Sequence, residues 1–320
     1  MADLTDTSLG LVEVVKRHDP NGNLSTIAEV LARATPIVND AVWKEGNDIF
    51  SNKTVRRSSL PSGTWRKLNF GVAKESSDTV EMVDVIGILE ARAENDVEII
   101  NAFSNPQQAR MDESASFLEG LSQEMAATML YGNALTAPEE FTGLAPRMDN
   151  LAATTNVIGG GASTGESIYI VTWGVNTCFM AYPRNTTSGL QHEDLGIQDA
   201  FDSSNNRFRA YCDRFVWRAG MVVKHPKAIA RYANLEGTGT TTTFDEDELI
   251  RLLNRMVTGP GTKIYVSRDM LTQMQIRLKD KSNVYFGRSD GLDGGGKVLT
   301  FNGFDVRMCE SISADETTVA

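Results

Sequence analysis

Few residues in this sequence have the types and spacing that catalysis or metal binding requires. The three histidines, His18, His192 and His225, lie far apart and match neither metal-ligand nor catalytic-triad spacing. His192 is followed by Glu193 and Asp194, the nearest approach to a site, but one histidine beside two acids lacks the further ligands that a metal ion needs. We therefore predict that this tripeptide is a surface turn.

Other motifs with known chemistry have simpler explanations or do not occur. The glycine runs at 159–161 and 294–296 lack the flanking pattern of phosphate-binding loops, and the sequence has no GxSxG or HExxH. Four consecutive acids at 245–248 suit the positive N-terminus of a helix. Cys178, Cys212 and Cys309 are widely spaced, which predicts buried, reduced thiols. We expect a protein that is not an enzyme and has no cofactor or metal.

The most distinctive chemical feature is a separation of charge along the chain. Residues 49–74 carry six basic side chains and no acidic one, whereas residues 75–131 carry twelve acidic side chains and two arginines. Such segregation predicts a projecting arm that lies on an oppositely charged surface of another molecule. The side chains assigned to this contact are Lys53, Arg56, Arg57, Trp65, Arg66 and Lys67 on the basic arm, and Asp112, Glu113, Glu119 and Glu124 on the acidic face.

Two predicted elements position these charges. Residues 49–74 have the pattern of a long hairpin, with a turn at Leu60-Pro61-Ser62-Gly63 and a returning strand at 64–70. Too few apolar residues are present for the hairpin to fold alone, which implies a partner surface. A helix is predicted from Pro106 to Tyr131, with an apolar stripe of Leu118, Leu121, Met125 and Met129 and the acidic residues on the other face.

The rest of the sequence predicts a loop-rich α+β chain. We expect a half-buried strand at 79–91, strands at 168–173 and 179–182, a hairpin over 207–223, a helix after Asp245, a strand at 264–266 and a helix capped by Ser267. A terminal hairpin or strand is predicted at 297–308, and a short amphipathic helix before Pro36, with Ser25 as its N-cap.

Composition excludes several classes of protein. The net charge of −11 makes the chain a poor nucleic-acid binder overall, although an acidic wall suits a container for nucleic acid because it does not hold the polymer. No apolar run is long enough to span a bilayer, and the N-terminus lacks the basic and apolar regions of a signal peptide. We expect a protein that stays inside the cell that makes it.

The basic arm leaves alternatives open. As an assembly arm it lies over the acidic helix and strand of a neighbouring copy. As a nucleic-acid arm it pairs its arginines with phosphates and stacks Trp65 on bases. It could also be a solvated cluster of charge. The complementary acidic stretch in the same chain favours assembly. Because exposed ion pairs contribute only about 0–1 kcal/mol each, the contact also requires burial of Trp65 and Leu60.

Three segments resemble the major capsid proteins of tailed bacteriophages, which have the Hong Kong 97-type shell fold. The long helix that runs into 131–134 and then Phe141-Thr142-Gly143-Leu144 resembles the spine helix and following loop of that family. Residues 215–223, followed by Arg231-Tyr232-Ala233-Asn234, resemble its aromatic hairpin and the Arg-x-Ala-Asn element that follows. Residues 189–196 are similar to a polar turn between strands in some members.

The resemblance implies an N-terminal arm at 1–45, an extended loop at 46–75, a peripheral domain with the spine helix at 76–144, an axial domain at 145–290 and a C-terminal strand at 291–320 that returns to the peripheral domain. It implies a structural protein of the virion, assembled in the host cytoplasm. Its pentamers and hexamers would form an icosahedral shell around double-stranded DNA, without sequence-specific binding and without a membrane. An encapsulin-type compartment protein or a nucleic-acid-binding protein remains the alternative.

The resemblance also bears on partners. Only about 45 residues precede the loop, which implies a separate scaffolding protein in place of a fused scaffolding segment. A portal protein is expected, and a cement or decoration protein is possible. Covalent cross-links in some members need a positioned Lys, Asn and Glu, a set that we do not find here.

Overall fold

The computed structural model describes residues 33–152, 155–202, 204–238, 242–278, 286–290 and 297–320. Most of the predicted N-terminal helix, His18 and the glycines at 294–296 lie outside these ranges. In chain order the helices and strands are α1 (Pro36–Asp40), β1 (Trp43–Glu45), β2 (Ser51–Arg57), β3 (Thr79–Val85), β4 (Gly87–Asp96), α2 (Val97–Ala102), α3 (Pro106–Tyr131), β5 (Val157–Gly159), β6 (Glu166–Thr172), β7 (Cys178–Tyr182), β8 (Leu190–Phe201), β9 (Arg207–Val223), β10 (Ile229–Leu235), α4 (Glu246–Arg255), β11 (Thr262–Val266), α5 (Arg268–Leu278), β12 (Phe286–Asp290), β13 (Lys297–Phe301) and β14 (Phe304–Met308).

The strands form two sheets and a separate ribbon. In the five-stranded sheet β9 pairs with β4, β7 and β8, and β1 adds to the edge of β7. The seven-stranded sheet has the order β12-β13-β14-β11-β6-β10-β5. Among the described residues, β2 and β3 pair only with each other, in antiparallel register from Ser51–Val85 to Arg57–Thr79. None of the described helices is long and apolar enough to cross a membrane.

The main core lies on both faces of β6, all seven residues of which are buried. Ile168 and Ile170 point into a cluster with residues of α4 and α5, such as Leu252 and Met270. The alternate side chains, including Tyr169, belong to a second cluster that contains the end of α3. Because successive strand residues face opposite sides, an apolar run in a central strand buries both.

The long helix α3 is confirmed with the predicted bounds. The side chain of Asn105 accepts a hydrogen bond from the backbone N–H of Gln108 at 3.3 Å, and Pro106 occupies the first turn. Its 26 residues give a rod of roughly 39 Å. The buried side chains are concentrated in the second half, and Leu118 of the predicted stripe is exposed. The N-terminal half of α3 therefore contributes less to the core than the periodicity predicts.

The segment after α3 folds back onto the end of that helix. The backbone N–H of Gly143 donates to the carbonyl of Gly132 at 2.7 Å, and that of Leu144 donates to Met129 at 3.0 Å. A Cβ on Gly143 would lie 2.6 Å from the carbonyl oxygen of Thr128, closer than real Cβ contacts. The glycine of the Phe-Thr-Gly-Leu motif is therefore required for this close backbone approach.

The predicted hairpin is wrong in its return strand. Residues 60–63 do not form the turn of a hairpin, and residues 64–70 form no strand. The partner of β2 is β3, which comes from the stretch predicted as one half-buried strand at 79–91. That stretch is two strands, interrupted at Ile86, and β3 is mostly exposed. Local propensity identified strand-forming residues but could not choose between partners at different distances along the chain.

Two further predicted elements differ from the structure. The expected hairpin over 207–223 is the single 17-residue strand β9, which is continuous because β4, β7 and β8 provide pairing along its length. The expected turn at 189–196, which includes His192–Asp194, lies within β8 from Leu190 onward, and the register shifts between Asp194 and Gly196. The predicted strands at 168–173, 179–182 and 264–266, the helix after Asp245, the Ser267 cap of α5 and the terminal hairpin are confirmed.

The sheets group the chain differently from the expected segments. β7, β8 and β9, from the segment assigned to an axial domain, lie in the same sheet as β4, against which α3 packs. The C-terminal β14 pairs with β11 in the seven-stranded sheet. The last residues nevertheless contact α3: the hydroxyl of Tyr131 donates a hydrogen bond to the carboxylate of Glu316.

Candidate assembly surfaces

The basic arm of the sequence is a ribbon with a long tip. The ribbon consists of β2 and β3, and we call residues 58–78 the tip. The carbonyl of Asp78 accepts hydrogen bonds from the backbone N–H groups of Ser58 and Ser59, at 2.9 and 3.4 Å, where the ribbon ends. Every residue of the tip is exposed. It therefore contributes little to the core of its own chain.

The tip presents large apolar side chains to solvent. Trp65 is fully exposed, and Leu68 retains 87% of its exposure. Leu60, Phe70 and Val72 are also at least half exposed. An exposed apolar group of this kind, rimmed by charged residues, is typical of an interaction site. The tip therefore has the composition of a contact surface, with both apolar area and positive charge.

The predicted basic contact residues divide into two groups. Arg57, Arg66 and Lys67 are exposed, and Lys53 is exposed with its ammonium 3.7 Å from the carboxylate of Asp48. Arg56 differs because its guanidinium donates to the backbone carbonyls of Val223 and Lys224 in its own chain. Burial lowers the pKa of Arg56. Arg56 thus attaches the ribbon to the body of the chain and does not project from it.

The base of the ribbon is fixed by a buried ion pair. The guanidinium of Arg147 donates to Asp84 at 2.8 Å and to the carbonyls of Thr142 and Met221 at 3.2 and 3.0 Å. Asp84 is 5% exposed, on the side of β3 that faces the body. Sequence reasoning missed this pair, because Asp84 lies 63 positions before Arg147 in the chain. It joins β3 to the loop after α3 and to β9.

The four predicted acidic residues lie on α3 but are not equivalent. Glu119 accepts hydrogen bonds from the backbone N–H of Arg33 and from Gln123, at 2.9 and 2.8 Å, which lowers the pKa of its carboxyl. Asp112 accepts from Gln108 at 2.9 Å. Glu113 is half-buried, and Glu124 is exposed. Glu119 thus already connects α3 to the N-terminal segment of its own chain.

The two described histidines make contacts within the fold, and the three cysteines are buried. His192 stacks on Phe215 with ring centroids 4.9 Å apart, and its Nε2 lies 2.9 Å from Asp213, which also pairs with Arg110 of α3. His225 accepts a backbone hydrogen bond at the turn 226–228. All three cysteines are buried and free, and burial raises the pKa of Cys178 to about 12. No cluster of three or more His, Cys, Asp or Glu suited to a metal occurs among the described residues.

A second buried network, also missed from the sequence, holds the C-terminal segment. Glu316 is 7% exposed, and its carboxylate accepts hydrogen bonds from Arg231 at 2.7 Å, from Tyr169 at 3.0 Å, and from Ser167 and Tyr131. These groups come from β6, β10, α3 and the C-terminus. The network therefore joins α3, which packs on the five-stranded sheet, to the inner strands β6 and β10 of the seven-stranded sheet.

Comparison with known proteins gives one family and several similar structures. The family model described as major capsid protein GP7 matches residues 19–320. No curated protein matches the sequence. A chain in the structure of bacteriophage Epsilon15, derived from cryo-EM and modeling, is 26% identical with a TM-score of 0.78, and the match covers 100% of this chain and 99% of that one.

Weaker likenesses include a chain of the bacteriophage JBD30 capsid, 10% identical with a TM-score of 0.46 over 90% of this chain and 95% of that one. A chain of the SrpI encapsulin complex from Synechococcus elongatus is 10% identical, with a TM-score of 0.47 over 71% of this chain and 96% of that one. Likenesses this distant carry no argument, and the encapsulin alternative gains no support from them.

Proposed function

This chain belongs to the major capsid protein GP7 family, and we propose that it joins its neighbours in the shell through the tip of its ribbon. Membership and the likeness to the Epsilon15 chain confirm the Hong Kong 97-type fold predicted from the sequence. The protein is a structural component of a tailed-phage virion, and many copies form its icosahedral capsid. The family is not a class of enzymes.

The observation that carries the proposal is the exposure of the whole tip in a single chain. A segment of 21 residues that buries none of its large side chains gains little from folding against its own chain. Contact with a second copy would remove Trp65, Leu68 and Phe70 from water. Since the shell surrounds each copy with others, such a partner surface is always present.

Apolar burial outweighs charge in this contact. Full burial of one large apolar side chain is worth about 1.5–3 kcal/mol, whereas an exposed ion pair contributes about 0–1 kcal/mol. The exposed cations Arg57, Arg66 and Lys67 then select the direction and the partner surface more than they supply affinity. We propose that the acceptor is the acidic face of α3 in a neighbour, formed by Asp112, Glu113 and Glu124. Glu119 accepts a hydrogen bond from the backbone N–H of Arg33 in its own chain.

We further propose how the segments serve the shell. The ribbon and its tip act as the extended loop, which continues past residue 75 through β3. The sheet against which α3 packs serves as the peripheral unit. The seven-stranded sheet serves as the axial unit that meets other copies around the fivefold and sixfold axes, in pentamers and hexamers. The N-terminal arm and the C-terminal residues connect these units.

The proposed partners follow from the function of the shell. We propose assembly in the host cytoplasm with a separate scaffolding protein and a portal protein, and a cement or decoration protein on the completed shell. The packaged double-stranded DNA would lie inside without sequence-specific contacts. A chain of net charge −11 repels DNA overall, which suits a wall that must not bind its contents.

The proposal is tested by a charge-reversal variant, Arg57→Glu with Arg66→Glu and Lys67→Glu. Arg56 is left unchanged because its contacts with Val223 and Lys224 stabilise the single chain. We expect folded subunits by circular dichroism and a loss of most shells by sedimentation and electron microscopy. The unmodified chain is assembled in parallel, with its scaffolding protein where it needs one.

The matched control keeps the charges but changes the side chains, as Arg57→Lys with Arg66→Lys and Lys67→Arg. We expect this control to form shells in nearly normal yield. A second variant, Trp65→Ala, is expected to reduce shell yield more than any single charge reversal does, because it removes the larger energetic contribution. Normal shells from the charge-reversal variant would refute the proposed contact.

A further inference from the structure

A recess of about 510 Å³ lies at the base of the ribbon, beside the edge of β2 opposite β3. We call it the root pocket. It is separate from the tip, and its lining comes from β1, β2 and β7, from the loop before β7, and from the turns after β1, β7 and β9. The lining residues on which the argument depends are Lys44, Lys53, Thr54, Val55, Arg184 and Lys224.

The root pocket has an excess of positive charge. Four cations line it, and the one acidic lining residue, Glu45, already accepts a hydrogen bond from the backbone N–H of Asn185 at 2.9 Å. Lys53 is near Asp48, at 3.7 Å. Among the described residues, Lys44, Arg184 and Lys224 have no carboxylate within ion-pair distance. Three cations thus lack a counter-charge beside one recess.

Two polar features of the pocket also lack partners in the single chain. The hydroxyl of Thr54 is buried, and no hydrogen-bond partner is present for it among the described residues. A buried hydroxyl without a partner is costly, and such groups usually find one. Because Thr54 lines the recess, a bound group can accept or donate a hydrogen bond there.

The second feature is the backbone edge of β2. The N–H and C=O of Lys53 point away from β3, because both bind the side chain of Asn47, at 2.8 and 2.7 Å. The carbonyl of Phe50 accepts from Ile86, and the N–H of Ser58 donates to Asp78, so the even positions face β3. By the alternation of an antiparallel ladder, the N–H and C=O of Val55 point to the edge at the pocket.

We propose that the root pocket binds an extended acidic segment of a second copy of this chain, which adds to the edge of β2 at Val55 and places carboxylates on Lys44, Arg184 and Lys224. An unpaired strand edge accepts an extended peptide through backbone hydrogen bonds, and the flanking side chains provide specificity. Each copy in a shell has neighbouring copies, and each of these has a net charge of −11.

Duplex DNA fits this recess poorly. Its phosphates lie on the outside of a rod whose major groove alone is about 12 Å wide. Such a rod contacts projecting cations and does not enter a recess of 510 Å³. A peptide strand has the right width and presents both carboxylates and backbone groups. The inference rests on shell assembly and not on the proposed contact of the tip with α3.

The experiment uses shells assembled from an equal mixture of ¹⁴N- and ¹⁵N-labelled chains. A carbodiimide joins a lysine amine directly to a carboxylate in an ion pair, and mass spectrometry then identifies the two peptides. We expect Lys44 or Lys224 to be joined to an acidic peptide in pairs of mixed isotopic label, which identifies a second copy. Amine acetylation of the two lysines is expected to fall at least fivefold between dispersed subunits and shells.

A matched pair of variants tests the charge. Arg184→Glu lies in the pocket, and Arg277→Glu changes an exposed arginine on α5 that does not line it. We expect the coupling to Lys44 and Lys224 to decrease severalfold in Arg184→Glu and to be unchanged in Arg277→Glu. If Arg184→Glu abolishes shells while the subunit stays folded, it supports the inference equally, provided that Arg277→Glu assembles.

Other outcomes overturn the inference. Unchanged acetylation on assembly, or coupling only within one isotopic label, would exclude a second copy. Protection that appears in DNA-filled shells but not in empty ones would indicate DNA. Protection of dispersed subunits by inorganic phosphate, with no further change on assembly, would indicate a small-anion site. If the tip variants form normal shells, these shells still report on the root pocket, so the two proposals fail separately.

Discussion

The buried carboxylate of Glu316 allows a quantitative prediction. Glu316→Ala removes the acceptor of four hydrogen bonds and the counter-charge of Arg231, which is 4% exposed. Arg231 would retain hydrogen bonds to Ser167 and to the carbonyl of Met148, both at 3.0 Å, but its charge would be unpaired. Breaking a buried pair by removal of one partner costs about 3–5 kcal/mol. We expect a loss of that size.

The assay is urea-induced unfolding of dispersed subunits, followed by circular dichroism. The control is Asp315→Ala, which removes the exposed neighbouring carboxylate and should change the free energy of unfolding by less than about 0.5 kcal/mol. The pair Arg231→Met with Glu316→Leu removes both charges, and we expect it to be more stable than Glu316→Ala alone. A Glu316→Ala variant as stable as the Asp315→Ala control would refute the reasoning.

Three further predictions concern the single chain. Gly143→Ala should destabilise the subunit by about 1–3 kcal/mol, because its Cβ would lie 2.6 Å from a carbonyl oxygen. Gly120→Ala on α3, whose Cβ would meet no atom within 4 Å, should stabilise the subunit by about 0.5–1 kcal/mol. Urea unfolding measures both changes. Burial and the charge of Glu316 raise the pKa of Tyr131, so the folded state keeps a proton that the unfolded state loses, and stability should fall above about pH 10. Tyr131→Phe should make this fall less steep when the free energy of unfolding is measured against pH. An unchanged slope would contradict the assignment to Tyr131. Arg147→Met leaves Asp84 buried without its counter-charge and should increase the rate of amide hydrogen exchange in β2 and β3 at least tenfold, while exchange in β6 stays unchanged. Unchanged exchange in β2 and β3 would show that the ion pair does not hold the ribbon on the body.

The long helix shows what local sequence signals specify well. Asn105 caps the start of the helix and Pro106 occupies its first turn. Gly132 follows its last residue, where the backbone of Phe141 approaches closely. All of these signals depend on residues near one another in the chain. The apolar stripe predicted which face is buried but not how far the burial extends. Leu118 is exposed, and most buried residues of α3 lie from Leu121 onward. How far burial extends along the helix depends on the distant elements that pack against it.

The ribbon shows where local signals end. Residues 64–70 have good strand propensity, yet β2 pairs with β3, and no pattern within the hairpin predicted a tip of 21 residues. The cost of closing a longer loop rises slowly with its length, so pairing with a distant strand is energetically open to the chain. Contacts at the base, such as Arg147 with Asp84, then favour the observed partner.

The candidate contact residues divide in the same way. Arg57, Arg66, Lys67 and Trp65 are exposed, and their contact with a neighbouring copy stays a prediction made from charge and composition. The inward position of Arg56 and the pairing of Glu119 with Arg33 followed from no pattern in the sequence. A charged side chain on a strand alternates faces with its neighbours, but which face meets the body depends on register, which long-range packing sets.

By itself the sequence determined the α+β class, the bounds of the long helix, the separation of charge and the family resemblance, because each is written in neighbouring residues or in a local pattern. Only the tertiary structure decided the partner of β2, the network of Glu316 with Arg231, and the recess beside Val55. These features join residues that lie from about twenty to more than a hundred positions apart in the chain. Their energies depend on burial and on hydrogen-bond geometry, which exist only once the chain has folded.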